Sequence, residues 1–278
     1  MNFAKMHGCG NDYVMVNCFT EEIHDIPRAA INLSNRFTGV GSDGLILIKP
    51  SEIADFQMEI YNSDGSSAQM CGNGIRCLGK YVYDYGLTTK KHISVETKAG
   101  IKYLDLMIDN AEVTRVRVNM GSPILRPHEI PVITDQESNI NLTVTVEGEI
   151  YEATCVSMGN PHAVLFVDNI RDWKLNTLGK KIENHPMFPE RINVEIIHVL
   201  NPSEIEMRVW ERGAGETLAC GTGACASVVA SILHGYTKNR VTVHLLGGDL
   251  EIEYQEENNV IYMTGPAVKV FDGIIHEK

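Results

Sequence analysis

A four-residue element, Cys71-Gly72-Asn73-Gly74, returns as Cys220-Gly221-Thr222-Gly223, an interval of 149 residues. The same offset sets Asn11 against Asn160, Asn62 against Glu211 and Gly44 against Asn193. It also sets a helical segment beginning near Ile26 against one beginning at Leu175. Several coincidences in one register, in matching strand–turn–helix contexts, mark an internal duplication. A duplicated chain must build two similar units, and 278 residues are enough for two cores of ordinary size.

Short β-type runs dominate the rest of the chain. Residues 56–61, 204–210 and 250–254 alternate apolar and polar. Comparable runs lie at 45–48, 93–97, 113–118, 143–146, 163–167, 194–199, 241–245 and 260–263. Helical patterns are few. Residues 27–37 and 175–185 read as surface helices, and two further helices start immediately after Cys71 and Cys220. The first covers 72–85, with Ile75, Leu78, Val82 and Tyr85 at helical spacing, and stops at Gly86. The second covers 221–234 and stops at Gly235. It is apolar nearly all round, as a helix buried on every side must be. So many strands with two such helices predict an α+β chain of two pseudo-symmetric halves. Each is expected to be a curled, mostly antiparallel sheet wrapped around a central helix.

Composition removes several function classes. A net charge of −12 argues against nucleic-acid binding, which needs a basic surface to neutralise phosphates. No stretch approaches the roughly 18 apolar residues of a membrane span. The first eight residues lack the apolar core of a signal peptide, so no leader is expected. Seven cysteines without a CxxC pair fit a reducing cytoplasm better than a disulfide framework.

The chemistry concentrates at the two Cys-Gly-x-Gly elements. Each lies where a loop becomes a helix N-terminus, with unpaired N–H groups and about half a positive charge from the helix dipole. A thiol placed there is expected to have a lowered pKa and to rest partly as thiolate, while the glycines let a ligand approach the backbone. If the halves face one another, a carbon held between them has sulfur on both sides. One thiolate removes its proton, the opposite thiol returns another, and the centre inverts. Two equivalent thiols serve inversion, whereas a hydrolase needs one nucleophile and a base. The carboxylate beside that carbon would then need several backbone donors in a site closed to water. Cys9, Cys18, Cys77, Cys155 and Cys225 lack this context and read as packing residues.

Other readings of these residues are weaker. The spacings Cys71…Cys77 and Cys220…Cys225 do not match structural zinc sites, so no metal is expected. The run 39–44 fits G-x-G-x-x-G but is followed by a strand, and the run at 221–226 has no acidic ribose ligand downstream. A non-catalytic anion-binding or redox-sensing protein, using Cys71 and Cys220 as a switch, remains a rival from a different class.

Seven runs, taken together in order and spacing, are specific: Met6-His7-Gly8-Cys9-Gly10-Asn11-Asp12-Tyr13, Tyr61-Asn62-Ser63-Asp64-Gly65-Ser66, Met70-Cys71-Gly72-Asn73-Gly74-Ile75-Arg76-Cys77, Met158-Gly159-Asn160-Pro161-His162-Ala163-Val164, Glu211-Arg212-Gly213-Ala214-Gly215-Glu216-Thr217, Ala219-Cys220-Gly221-Thr222-Gly223-Ala224 and Thr264-Gly265-Pro266-Ala267. Along nearly its whole length the chain resembles the diaminopimelate epimerases. The resemblance implies interconversion of LL- and meso-diaminopimelate, toward lysine and peptidoglycan, without cofactor or metal. It implies Cys71 and Cys220 as the acid/base pair, assisted by His162 and Glu211. Gly72, Asn73, Gly221 and Thr222 are expected to place donors on the reacting carboxylate. Asn11, Asn62, Asn160, Asn193, Glu211 and Arg212 are expected to recognise the rest of the substrate. Arg212 offers a bidentate fork for a carboxylate, although alone it would read as a solvated strand end, and His162 alone as a loop histidine. Gly44 stands where some members carry a glutamine ligand and is left out of the site.

The resemblance also implies two α+β domains, residues 1–120 and 121–264, with the tail 265–278 returning to the first. A homodimer is expected, with Phe271 in the stretch whose aromatic contributes to the contact. The nearest rival, a proline or hydroxyproline racemase relative, is expected to show histidine at Asn73 and to lack the Glu211-Arg212 pair.

Overall fold

The computed structural model describes residues 1–276. The chain is α+β and divides into two compact units, residues 1–119 with the segment from 264 onward, and residues 120–263. In the first unit β1 (Asn2–Gly8) lies antiparallel to both β2 (Asn11–Asn17) and the returning β18 (Val268–Ile274). Helix α1 (Ile26–Ser34) carries the chain from β2 to β3 (Gly44–Lys49), which pairs parallel to β2. Asp25 caps α1 by accepting the Arg28 N–H, and Pro27 sits in the first turn where its missing N–H costs nothing. β4 (Phe56–Asn62) returns antiparallel to β3 and also borders β5 (Ser67–Ala68) and, in parallel, β6 (His92–Thr97). β6, β7 (Gly100–Asp109) and β8 (Glu112–Gly121) form an antiparallel meander.

The second unit repeats this plan. β9 (Leu142–Val146), β10 (Glu149–Ser157) and β11 (Pro161–Phe166) run antiparallel. Helix α3 (Leu175–Glu183) leads from β11 to β12 (Asn193–Asn201), parallel to it. β13 (Glu204–Glu211) then pairs with β12, with β14 (Gly215–Thr217) and with β15 (Arg240–Leu245), which turns back into β16 (Gly248–Gln255). β17 (Val260–Pro266) leads toward β18.

The duplication holds at the level of single residue pairs. Tyr13 lies opposite Gly44 in β2/β3, and His162 lies opposite Asn193 in β11/β12. Leu45 faces Tyr61 as Val194 faces Trp210, and Tyr61 faces Ser67 as Trp210 faces Glu216. Because side chains alternate across a strand, a shared register gives equivalent residues the same face. Gly44 has no space for a side chain, since a Cβ there would lie 2.3 Å from the Tyr61 carbonyl oxygen.

The central helices are α2 (Gly72–Asp84) and α4 (Gly221–Leu233), also 149 residues apart. Helix α2 packs against β1, β2, β7 and β18, and α4 against β10, β11, β12, β13, β15 and β16. Each ends at a glycine in the left-handed conformation, Gly86 at φ 73° and Gly235 at φ 71°. Along α4 the run from Gly223 to Ser231 is buried. Each fully buried valine or leucine contributes about 1.5–3 kcal/mol. Its two serines keep their hydroxyls occupied: Ser231 Oγ donates to the Ser227 carbonyl (2.8 Å) and Ser227 Oγ to Met207 Sδ (3.2 Å).

Candidate functional site

At the tip of α2, Cys71 is the N-cap. Its extended backbone turns the sulfur over the first turn, where Sγ accepts the Gly74 N–H at 3.4 Å. The Tyr13 hydroxyl reaches the same sulfur at 3.0 Å and Asn11 Oδ1 at 2.8 Å. Burial pushes the Tyr13 phenol well above its ordinary range, and the neighbouring Cys71 adds to this, so the hydroxyl keeps its proton. Asn73 Nδ2 donates to Asn11 Oδ1 (3.2 Å) and Asn73 Oδ1 accepts from Arg76 (2.9 Å). Arg76 is fully buried and also donates to the carbonyls of Gly72 (2.9 Å) and Pro266 (3.1 Å), which fixes the first turn from behind. Asn11 is tied to Asp43 (2.7 Å), and Asp43 to Arg36 (2.9 Å).

At the tip of α4 the surroundings are charged. Cys220 is buried, with Sγ 3.5 Å from Thr222 Oγ1, and Thr222 accepts from Asn160 Nδ2 at 3.2 Å. The link mirrors that between Asn73 and Asn11, with donor and acceptor exchanged. Glu211, at the end of β13, accepts from Thr217 Oγ1 at 2.5 Å. Burial raises the Glu211 pKa, and contacts from Thr217 and Cys220 draw part of that rise back. His162, in β11, is not a loop residue: it is fully buried, with Nδ1 2.7 Å from the equally buried Glu195 Oε1.

These neighbours overturn one expectation. A helix N-terminus alone lowers a thiol pKa, yet Cys220 is pushed well above the ordinary thiol range. Burial is the largest cause, followed by the carboxylates of Glu211 and Glu195, and together they outweigh Thr222 and the Gly223 N–H. Cys220 therefore rests as a thiol at neutral pH.

Within the first unit the hydrogen-bond network gathers Asn11, Cys71, Gly72 and Asn73. Asn62 ends β4 on an exposed turn, with Nδ2 on Ser66 Oγ (2.9 Å), outside that network. Within the second unit Asn160, His162, Glu211, Cys220, Gly221 and Thr222 surround one helix tip. Asn193 is buried and holds a turn in place: Nδ2 donates to the Pro161 carbonyl (2.9 Å) and Oδ1 accepts the Arg212 N–H (2.8 Å). The Arg212 guanidinium donates to the Glu190 carbonyl (2.8 Å). Sequence reasoning assigned no role to Tyr13, Arg76, Thr217 or Glu195. For Glu195 a signal existed, a carboxylate inside the apolar run Val194-Glu195-Ile196-Ile197. Among the described residues no three His, Cys, Asp or Glu side chains converge as a metal ion would require, and no described helix is long and apolar enough to cross a membrane.

A family model described as diaminopimelate epimerase matches residues 3–125 and 154–270. The diaminopimelate epimerase of Acetivibrio thermocellus is 56% identical over 273 residues, covering 98% of this chain and 98% of the relative. That of Agathobacter rectalis is 55% identical over 282 residues, covering 99% of each. Among solved structures, a probable proline racemase from Agrobacterium radiobacter superposes with a TM-score of 0.73 at 14% identity, covering 100% of this chain and 93% of the other. At that identity the likeness shows a shared fold alone.

Proposed function

The chain belongs to the diaminopimelate epimerase family, and from that premise we propose that it interconverts LL- and meso-diaminopimelate by a two-thiol proton exchange without cofactor. The observation that carries the reading is a cysteine at each of two equivalent helix tips, in a chain more than half identical to named epimerases of full length. At 14% identity, the structural likeness to a proline racemase gives that substrate no comparable support.

The proton balance is simple. One sulfur enters as thiolate and takes the α-hydrogen, leaving a carbanion whose charge spreads onto the carboxylate. The other enters as thiol and donates to the opposite face. Cys220, held protonated by burial and two carboxylates, suits the donor role, and Cys71, which accepts hydrogen bonds from Tyr13 and Gly74, suits the acceptor role. In the reverse direction the roles exchange. The first-turn N–H groups of Gly72, Asn73, Gly221 and Thr222 supply donors for the developing charge. Asn11 and Asn160 each sit one hydrogen bond from a helix tip, which supports a role for both in orienting the amino acid. Arg212 and Asn62, set farther out, serve the distal carboxylate and ammonium, with Asn193 acting through the Arg212 turn.

Incubation with LL-diaminopimelate in deuterium oxide tests the whole reading. Meso product must appear with deuterium at the inverted carbon. Label in proline but not in diaminopimelate would overturn it in favour of the racemase alternative, and label in neither would favour a non-catalytic protein. A homodimer in the cytoplasm belongs to the same reading. Exposed Val268, Val270, Phe271 and Ile274 on β18 supply an apolar strand for self-association. Sedimentation at a single chain mass would count against it.

The two tips respond differently to one added methyl group. A Cβ at Gly74 would meet Ile46 Cδ1 at 2.5 Å, and at Gly223 it would meet Glu195 Oε1 at 2.6 Å. The isoleucine tip can rotate away, whereas the glutamate is fixed to His162. Gly74→Ala is expected to keep turnover within about tenfold. Gly223→Ala is expected to lose about 10²-fold, the scale of a misplacement of about 1 Å. Both should fold, since alanine favours a helix by about 1 kcal/mol over glycine. Steady-state kcat alongside a melting curve checks the contrast, and equal losses in the two variants would refute it.

A further inference from the structure

The Tyr13 hydroxyl carries one proton and has two acceptors within reach, Cys71 Sγ at 3.0 Å and Asn11 Oδ1 at 2.8 Å. A phenol donates to one acceptor at a time. The sulfur has a matching outlet, because Cys71 Sγ lies 3.4 Å from the same Asn11 oxygen and can donate there when it carries a proton. Asn11 is oriented for this: Nδ2 donates to Asp43 at 2.7 Å, and a carboxylate only accepts, so Oδ1 is the atom turned to the hydroxyl and the sulfur. The phenol ring is held as closely. Tyr13 is buried, and a Cβ built on Gly44 or on Gly74 would come to 3.4 Å or 3.5 Å of its two ε carbons. The ring therefore lies between the start of β3 and the first turn of α2. A ring that only filled this space would need no hydroxyl, and a buried hydroxyl is costly unless it is hydrogen-bonded. In the second half His162 stands in the place of Tyr13, with Nδ1 on Glu195 at 2.7 Å, so the two sulfurs have unlike surroundings.

We propose that Tyr13 is a positioning residue for the Cys71 proton: its hydroxyl donates to Sγ while the sulfur is a thiolate, and turns to Asn11 Oδ1 when the sulfur is protonated. Tyr13 keeps its own proton in both states, since burial and the neighbouring Cys71 hold the phenol well above its ordinary range. Only the hydroxyl rotates, and the transferred proton passes between sulfur and the α-carbon. A hydrogen bond to a charged sulfur is stronger than one to a neutral amide oxygen. The hydroxyl therefore favours the thiolate, the form in which Cys71 takes the α-hydrogen. The other charged and titratable groups around the pair are Asp43 and Asp12, both tied to Arg36, with Asp12 also tied to Lys5. Behind the first turn of α2 lie Arg76, Cys9 against it at 3.7 Å, and Cys77, which burial pushes up to about 12 and so keeps as a thiol. None of these groups changes when the Tyr13 hydroxyl is removed. The proposal rests on Cys71 being one of the two exchanging thiols.

Tyr13→Phe in the full-length protein removes the donor and keeps the ring. Both acceptors retain another partner, Sγ the Gly74 N–H and Asn11 Oδ1 the Asn73 amide, so the variant should melt close to the wild type. Iodoacetamide alkylation of Cys71, followed against pH by mass spectrometry, should have its midpoint about one to two pH units higher, the scale of one hydrogen bond to a charged group. At neutral pH, kcat/KM for diaminopimelate should fall by about 10- to 100-fold, the same shift expressed as lost thiolate. That deficit should shrink as rising pH restores the thiolate. Site-specific 3-fluorotyrosine at position 13 makes the phenol a stronger donor and should move the midpoint down. A Cys71 midpoint that stays put or falls in Tyr13→Phe overturns the proposal. So does kcat/KM at the wild-type level, or a loss that is equal at every pH, which is what a purely structural role produces. If Tyr13→Phe does not fold, an unmoved midpoint in the fluorotyrosine protein overturns it. The alkylation needs no substrate, so a failure of the wild type to turn over diaminopimelate would remove the functional reading and leave this test standing.

Discussion

Cys71→Ala and Cys220→Ala are each expected to remove epimerisation, by about 10⁴-fold or more in kcat, while the fold survives. The size follows from what each sulfur does. Inversion needs a proton taken from one face and another delivered to the opposite face, and a positioned acid or base is worth about 10²–10⁴-fold by itself. Groups that act as a unit are not additive, so either loss stops the cycle. The structural costs differ in kind. Cys71 caps α2 through the Gly74 N–H, and losing a cap costs about 1 kcal/mol. Cys71→Ser separates the two contributions, because a hydroxyl can cap a helix and is a far weaker acid than a thiol. It should melt like the wild type and remain as inactive as Cys71→Ala. Chiral analysis of product formed in deuterium oxide is the measurement. Meso product at near wild-type rate from any of these variants would end the two-thiol account.

The duplicated plan was legible because both halves carry the same local signals at one offset. The four helices predicted at 27–37, 72–85, 175–185 and 221–234 correspond to Ile26–Ser34, Gly72–Asp84, Leu175–Glu183 and Gly221–Leu233. The strands overlooked include β2 and β10, although each carries a run of buried residues, and two whose side chains do not advertise a buried face. β18 is exposed along nearly its whole length, so it shows no alternation, and its backbone ladder to β1 holds it. In β1, Lys5 is buried against Asp12 at 2.7 Å, a pairing that a lone lysine does not announce. The chemistry of the second tip was hidden for a related reason. Glu195 and His162 are far apart in sequence and meet only because β11 and β12 pair in parallel, with His162 opposite Asn193 and Glu195 two residues on, along the same face. A helix start predicts an activated thiol, and only the folded chain shows burial and two carboxylates reversing that effect at Cys220.

Glu211→Gln is expected to cut kcat by about 10²–10⁴-fold, the range for removing a proton-transfer partner, and to make Cys220 easier to ionise. Both effects come from one carboxylate. Burial holds Glu211 above the ordinary carboxylic range, so the acid limb of the wild-type kcat/KM profile should lie at higher pH than a free glutamate would give. Glutamine abolishes that limb. It can still accept from the Thr217 hydroxyl, now 2.5 Å from Oε1, so the turn from β13 into β14 should hold and the melting temperature change little. The sign at the thiol is fixed by charge. In the wild type burial, and after it the carboxylates of Glu211 and Glu195, raise the Cys220 pKa, so the sulfur alkylates slowly until the pH is strongly alkaline. Removing one negative charge favours the thiolate and moves the alkylation midpoint down. A more reactive thiol in a less active enzyme separates this account from one in which Glu211 only braces the loop, because bracing would lower both together. An alkylation midpoint that stays put or rises, or a kcat near wild type, would show that Glu211 does not act on the Cys220 proton.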